Sequence, residues 1–407
     1  MANTTVENAH DLLKKGYALY EQKFNAKPQW AGCAPGRVNL IGEHIDYNDG
    51  YVLPMCLPTV TVLIGSKNNS NSIHIYSDNK KADSPQDVQF DVPSVKKLTP
   101  GNPKWANYVK GVVDIFNDTV AKVPGFNAII LSSVPLGSGL SSSAALEVAT
   151  YTFLESLTDE KNLKLTDKAL ACQKVENDFV GVPCGIMDQY VSVMGEEGSA
   201  LLIDCKTHEA RHIPLGDDHH FVFLIINSNV SHELSSSEYS VRRAQCKTVL
   251  EKLHRVSFRD VSLKSLEDKK SQKILTDVEY RRGHHVVTEI DRTYRGANAL
   301  REGEFEAFGK LMNESHDSLR DDYEVSCKEV DDIAHCAQAL PGVLGCRMTG
   351  GGFGGCAIAL VHKDHINDVI AKVKAHCTNN PTPTFFVSEA YQGATHVSLE
   401  EWPHYHY

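Results

Sequence analysis

The sequence has no window of about 18 consecutive apolar residues, and Met1 to Gly16 is polar and then amphipathic, so neither a membrane-spanning helix nor a secretory leader is expected. No Cys-x-x-Cys pair occurs. The 11 cysteines, an odd number scattered from Cys33 to Cys377, suggest neither a disulfide framework nor a zinc ribbon, and reduced cytosol is the expected home. Positive charge is also short. With 41 Lys and Arg against 52 Asp and Glu, the formal net charge is -11, which disfavours broad binding to nucleic acid or an anionic membrane. Repeats of fixed period and low-complexity tracts are missing too.

What is present is enough apolar content for a substantial core: 407 residues at 42% hydrophobic should divide into about two or three domains. The chain is organised around Val134-Pro135-Leu136-Gly137-Ser138-Gly139-Leu140-Ser141-Ser142-Ser143-Ala144-Ala145. An apolar run, 128–131, precedes it, and a helical pattern follows in which Leu146, Thr150, Phe153, Leu154 and Leu157 share one face. Gly137 and Gly139 let the backbone turn its N–H groups toward one point, and the serines stand where a helix begins, at unpartnered amides and the positive end of the macrodipole. Such a cradle suits phosphate. It is not a P-loop, because no lysine lies in the run. Nor is it a dinucleotide fingerprint, because Ser142 stands where a third glycine or alanine belongs. A Gly/Ser turn ahead of a helix is also a common structural feature, so alone it leaves both readings open.

Ahead of the cradle, residues 6–24 have the pattern of an amphipathic helix. The segment 34–50 then crowds Arg37, Glu43, His44 and Asp46, groups that are costly to bury unpaired. Its plain reading is a surface turn with an Arg37–Glu43 salt bridge. The alternative is a sugar site, because an ionised carboxylate accepts two hydroxyl donors at once. β-Branched residues in 51–66 predict strands, with Pro54 and Pro58 at strand ends or an edge. Residues 105–116 predict a helix in which Trp105 reads equally as core or as pocket wall. Asp188 follows the turn signal Pro183-Cys184-Gly185 and opens an element, either as an N-cap or as a functional acid. A domain boundary is expected near Ser228, and the charged stretch 258–270 reads as a mobile connector between helices. His284, His285, His404 and His406 read as surface histidines rather than metal ligands. Late in the chain, Arg347-Met348-Thr349-Gly350-Gly351-Gly352-Phe353-Gly354-Gly355 puts five glycines in six positions ahead of a strand, permitting very close backbone approach.

The arginine-acid segment, the cradle and the late glycine loop together resemble the three motifs of the GHMP small-molecule kinases. Within that family, Gly36-Arg37-Val38-Asn39-Leu40-Ile41-Gly42-Glu43-His44-Ile45-Asp46-Tyr47 resembles the galactokinase signature, and segments 238–243 and 318–326 match further stretches typical of that branch. The resemblance covers nearly the whole chain. It implies an α+β protein of two lobes, with the active site in the cleft between them. The N-terminal lobe (1–228), like ribosomal protein S5 domain 2, would carry the galactose-binding signature and the ATP phosphate loop; the C-terminal lobe (229–407) would be ferredoxin-like. The implied reaction moves the γ-phosphoryl group of ATP to the C1 hydroxyl of α-D-galactose.

Carried over residue by residue, the resemblance makes Asp188 the carboxylate facing that hydroxyl and Arg37 its cationic neighbour. Arg37, Glu43, His44, Asp46, Gly185, Asp188 and Tyr239 would contact the sugar. Gly137, Ser138, Gly139, Leu140, Ser141, Ser142 and Ser143 would wrap the phosphates, with Trp105 at the adenine. Ser143 and Glu176 would hold Mg2+, a sparse protein shell for a hard cation that keeps water and phosphate oxygens. Such a cytoplasmic enzyme takes galactose and ATP as partners, with no nucleic acid, no membrane and no obligate protein partner. Two alternatives share the motifs: an N-acetylgalactosamine kinase, which needs room beside the sugar C2, and a non-catalytic galactose/ATP-binding sensor. The stretch 46–54 resembles the galactose-specific branch, and the uninterrupted Ser141 to Ala145 together with Asp188 favours catalysis.

Overall fold

The computed structural model describes residues 7–93, 97–161, 164–216, 220–231, 235–377 and 381–399; His404 and His406 lie outside them. Helix α1 (Ala9–Phe24) starts at Asn8, whose side chain accepts from the Asp11 amide, and stops at Asn25 in the left-handed conformation. Strands β1 (Trp30–Asn39), β2 (Tyr51–Val52), β3 (Pro54–Lys67), β4 (Ser72–Ser77) and β5 (Asp87–Asp91) follow. Next come α2 (Trp105–Thr119), β6 (Phe126–Ser132), α3 (Ser142–Thr158), α4 (Leu165–Lys174), a π-helical turn (Val175–Val180) and α5 (Met187–Met194). β7 (Ser199–Asp204) and β8 (Glu209–Pro214) form a small sheet with β2. The remainder is β9 (Phe221–Ser231), α6 (Ser235–Leu253), α7 (Leu263–Ser271), α8 (Asp277–Arg301), α9 (Phe305–Asp321), α10 (Lys328–Gln338), β10 (Val343–Thr349), β11 (Gly354–His362), α11 (Ile366–His376), β12 (Thr384–Ser388) and β13 (Thr395–Ser398). Among the described residues no helix is long and apolar enough to cross a membrane.

The first sheet has the order β13-β1-β3-β6-β4-β5. Its central strand β3 shows the period of two expected of a sheet covered on both faces. Val60, Val62 and Ile64 pack with Leu12, Leu13 and Tyr20 of α1, while Leu63 joins the cluster holding Val148, Ala149 and Phe153 of α3. Pro58 departs from expectation, since it lies inside this central strand. It is tolerated because the β1–β3 register breaks there, between the pairs Pro35–Val60 and Arg37–Cys56, so no ladder donor is missed.

The second sheet, β10-β11-β9-β12, is antiparallel throughout. In chain order these strands are second, third, first and fourth, with helices between β9 and β10 and α11 between β11 and β12, which is the ferredoxin-like βαββαβ arrangement. A boundary at Ser228 therefore cuts β9, which belongs wholly to this sheet, and β13 returns to the edge of the first sheet beside β1. Composition does not mark which sheet a strand joins. The charged stretch 258–270 is also not a loose connector: a 3-10 turn at Phe258–Asp260 leads into α7, and Phe258 and Leu266 are buried.

Candidate active site

In the turn between β6 and α3, Gly137, Gly139 and Ser141 take left-handed conformations (φ 68, 76 and 63°). α3 then begins at Ser142 with no side-chain cap and no acidic residue in its first turn, leaving its leading amides for an outside acceptor. Gly137 and Gly139 are exposed. Leu140 is buried in the core and the Ser138 hydroxyl donates back to Pro135 O at 2.9 Å, so those two side chains are committed elsewhere.

Arg37 on β1, 5% exposed, is the hub beneath this loop. Its Nη1 donates to Gly139 O at 2.6 Å, and its Nε and Nη2 both reach Asp188 Oδ1 at 2.8 Å. Ser141 Oγ donates to Asp188 Oδ2 at 2.5 Å. Asp188 is thus not an N-cap: it is the second residue of α5, after an uncapped start at Ile186, and its carboxylate joins Arg37 to the cradle while staying 25% exposed. The late glycine loop closes on the same cradle from the second sheet. At Gly350 (φ 85°) a Cβ would stand 2.9 Å from Gly139 O, so only glycine permits the approach.

The Arg37–Glu43 salt bridge expected of a surface turn does not form. Glu43, 1% exposed, instead accepts from Asn39 Nδ2 at 2.8 Å on Oε2 and from Gly350 N at 2.9 Å on Oε1, forms an ion pair with Arg347 Nη2 at 2.6 Å, and shares the Thr349 hydroxyl, 3.1 Å away, with Asn39 O. So buried, Glu43 reaches a sugar hydroxyl only by exchanging one of these partners. As it stands, it ties the end of β1 to β10 directly behind His44.

The remaining expected sugar residues come together. His44 Nε2 lies 3.1 Å from Gly351 O, which can only accept, so Nε2 carries the proton and Nδ1 accepts from Tyr47 OH at 2.8 Å. Tyr47 OH in turn accepts from Tyr323 OH at 3.0 Å, and Tyr323 from the Cys246 thiol at 3.1 Å. Burial, then the neighbouring His285, lowers the His44 pKa to about 3, which keeps the ring neutral. Tyr239 packs against both His44 and Tyr47, with ring centroids 5.4 and 5.1 Å away. Asp46 presses on Gly185 so closely that a Cβ there would lie 1.8 Å from Asp46 Oδ2. Burial and the Asp188 charge push Asp46 up to about 7. Trp105 is 8% exposed, packed in the main core, and donates its indole N–H to Pro85 O at 3.2 Å.

The Ser143 hydroxyl favours the charged form of Glu176, which lies on the π-helical turn. Burial, then Asp188, raises Glu176 to about 7, and burial with Glu176 and Asp188 raises Glu147 well above the ordinary carboxyl range. The Asp188 charge thus disfavours ionisation of Asp46, Glu147 and Glu176, and a hard divalent ion beside Ser143 and Glu176 would favour it. Among the described residues no group of three or more His, Cys, Asp or Glu forms a metal cage.

Comparison with known proteins places this geometry. The galactokinase galactose-binding signature matches residues 18–67, the GHMP kinase N-terminal domain 107–196 and the GHMP kinase C-terminal domain 297–379. Human galactokinase is 49% identical over 390 residues, covering 96% of this chain and 97% of that protein. The chain belongs to the galactokinase family. Galactokinase of Haemophilus influenzae is 38% identical, over 96% of this chain and 99% of its own length. Lactococcus lactis galactokinase, solved in complex with galactose, superposes with a TM-score of 0.87 at 33% identity, covering 94% of this chain and 99% of that one. The two-lobed fold extends further: Methanococcus jannaschii mevalonate kinase matches at TM-score 0.63 and 18% identity, covering 89% of this chain and 99% of that one.

Several residues that shape this galactokinase-family site were missed or misread from sequence. Arg347, fully buried, neutralises Glu43. Nearby, Glu289 accepts from Gly42 N at 3.0 Å, Ser315 Oγ at 2.6 Å and Arg292 Nε at 2.7 Å, pinning the signature turn to α8 and α9. His285 is fully buried rather than a surface histidine, bonded to Ser318 Oγ and Glu43 O. Arg347 had one legible signal, a charge leading into a glycine loop and an apolar strand. Glu289 and His285 lie in an ordinary amphipathic helix and had none.

Proposed function

We propose that this chain transfers the γ-phosphoryl group of ATP to the C1 hydroxyl of α-D-galactose, releasing α-D-galactose 1-phosphate and ADP. The observation that carries the proposal is the Arg37–Asp188–Ser141 junction, which joins the residue meant for the sugar hydroxyl to the loop meant for the phosphates. The exposed part of Asp188 orients the C1 hydroxyl and accepts its proton as the bond to phosphorus forms. Arg37 fixes that carboxylate and adds positive charge where negative charge spreads over the phosphoryl oxygens. The α3 amides and the glycines of the loop hold the nucleotide phosphates. His44, Asp46, Gly185 and Tyr239 line the sugar, backed by Glu43, with Trp105 toward the adenine. Ser143 and Glu176 would hold Mg2+, which would screen the phosphate charge.

On this reading the enzyme works in the cytoplasm, in keeping with its unpaired cysteines, and needs no protein partner. ADP release measured with galactose, with N-acetylgalactosamine and with no sugar tests the assignment. Turnover with galactose is expected. Binding without turnover would point to a sensor, and turnover only with N-acetylgalactosamine to the related kinase. Asp188→Ala should still bind ATP yet lose transfer by roughly 100-fold or more; a near-normal rate would remove Asp188 from the chemistry.

A further inference from the structure

Behind the Ser143–Glu176 pair lies a buried bridge with no assigned role. Gln189, fully buried on α5 next to Asp188, places one amide nitrogen between two carboxylates: Nε2 donates to Glu176 Oε2 at 2.8 Å and to Glu147 Oε2 at 3.0 Å. Both of its hydrogens are spent. In this orientation the Gln189 Oε1, like Glu147 Oε1, has no hydrogen-bond partner among the described residues. Glu147 is one helical turn beyond Ser143 on α3, fully buried, and its Oε1 has no partner among the described residues. Keeping a carboxyl there with one oxygen unpaired costs free energy that a hydrocarbon side chain would not. Glu176, by contrast, rides on a π-helical turn, where the regular helix ladder is interrupted. Its carboxylate therefore depends on side-chain partners for its aim.

We propose that Gln189 is a positioning residue which, anchored on Glu147, aims Glu176 at Ser143 and so sets the affinity of that pair for the divalent cation accompanying the nucleotide. This rests on the metal role proposed for Ser143 and Glu176. Outer partners of metal-binding carboxylates typically change affinity by about 10- to 100-fold when removed. Asp188 and Arg37 keep their mutual bonds without Gln189, so the sugar side is untouched.

Calorimetric titration of the full-length enzyme with ADP, with and without Mg2+, and separately with galactose, reads this directly. Gln189→Leu should lose roughly tenfold or more of the Mg2+-dependent gain in ADP affinity while galactose affinity stays as in the parent. Gln189→Asn, which keeps the amide but is one methylene too short to bridge, gives the same readout should the leucine variant fail to fold. Glu147→Leu should match them, and Glu147→Gln, which preserves shape and an acceptor, should restore the metal response. A parental Mg2+ response in Gln189→Asn would overturn the inference, as would equal losses for ADP and galactose, which mark a merely structural role. A parent enzyme whose ADP affinity ignores Mg2+ would instead remove the metal reading of Ser143 and Glu176, and this inference with it.

Discussion

Arg37→Lys separates charge from geometry at the centre of the site. Lysine keeps the positive charge but replaces a planar fork of donors with one ammonium. In the structure the fork acts in two directions: Nε and Nη2 hold Asp188 Oδ1 at 2.8 Å, and Nη1 holds Gly139 O at 2.6 Å. One ammonium cannot span both. A hydrogen bond to a charged group contributes about 1.5–3 kcal/mol, which corresponds to roughly 10- to 150-fold if it is felt wholly at the reacting carboxylate. Because Asp188 is 25% exposed, water replaces part of what is lost, and the lower half of that range is expected. The assay is coupled ADP release with galactose and ATP varied separately, alongside thermal melts. A fall in kcat with the fold intact is the expected result. Parental kcat in a folded Arg37→Lys protein would show that positive charge alone suffices and would refute the two-way clamp.

Three further perturbations probe other parts of the site. Gly185→Ala would set a Cβ 1.8 Å from Asp46 Oδ2 and drive that carboxylate off its bond from Tyr47 N, now 3.0 Å long; galactose KM should rise by about tenfold with ATP KM unmoved, and an unchanged galactose KM would exclude Asp46 as a sugar ligand. Ser143→Ala should raise the Mg2+ concentration needed for half-maximal rate, and an unaltered metal titration would count against its role. His285 is held by burial at a pKa of about 4, whereas an unfolded histidine has about 6.5. Its folded form binds fewer protons, so it contributes stability that is present above pH 6.5 and lost as pH falls toward 4, roughly 2 kcal/mol between pH 7 and pH 5. His285→Asn should therefore melt lower at pH 7 but lose less Tm on going to pH 5, whereas parallel curves for the two proteins would refute this. Asp46 and Glu176, raised to about 7, act in the opposite sense, but both proteins contain them and their effect cancels in the comparison.

The parts of the site legible in the sequence are those where backbone chemistry dictates residue type. Gly137 and Gly139 are needed because the chain turns left-handed ahead of a helix, and Gly350 because a second strand lead-in must touch Gly139. Arg37, Asp46 and Asp188 stood out because charges next to turn signals are costly unless used. What sequence leaves open is partnership. Glu43 reads as a group able to accept hydroxyls, and nothing local reveals that Arg347, Thr349 and Gly350 engage it from the other sheet. The same holds for Ser141, read as a phosphate ligand, whose hydroxyl is donated to Asp188.

These hidden partnerships explain why three motifs far apart in the chain form one site. Glu43 with Arg347, and Gly139 with Gly350, are contacts between the two sheets, so the arginine-acid turn, the phosphate loop and the late glycine loop hold one another in place before any ligand arrives. A buried ion pair of this kind adds little net stability, because its attraction is offset by desolvation, yet removing one partner strands the other charge. Its benefit is therefore register rather than strength. A site that must align a hydroxyl with a phosphorus atom loses rate steeply with small displacements, which is reason enough to keep Glu43 and Arg347 charged where an apolar pair would pack as well.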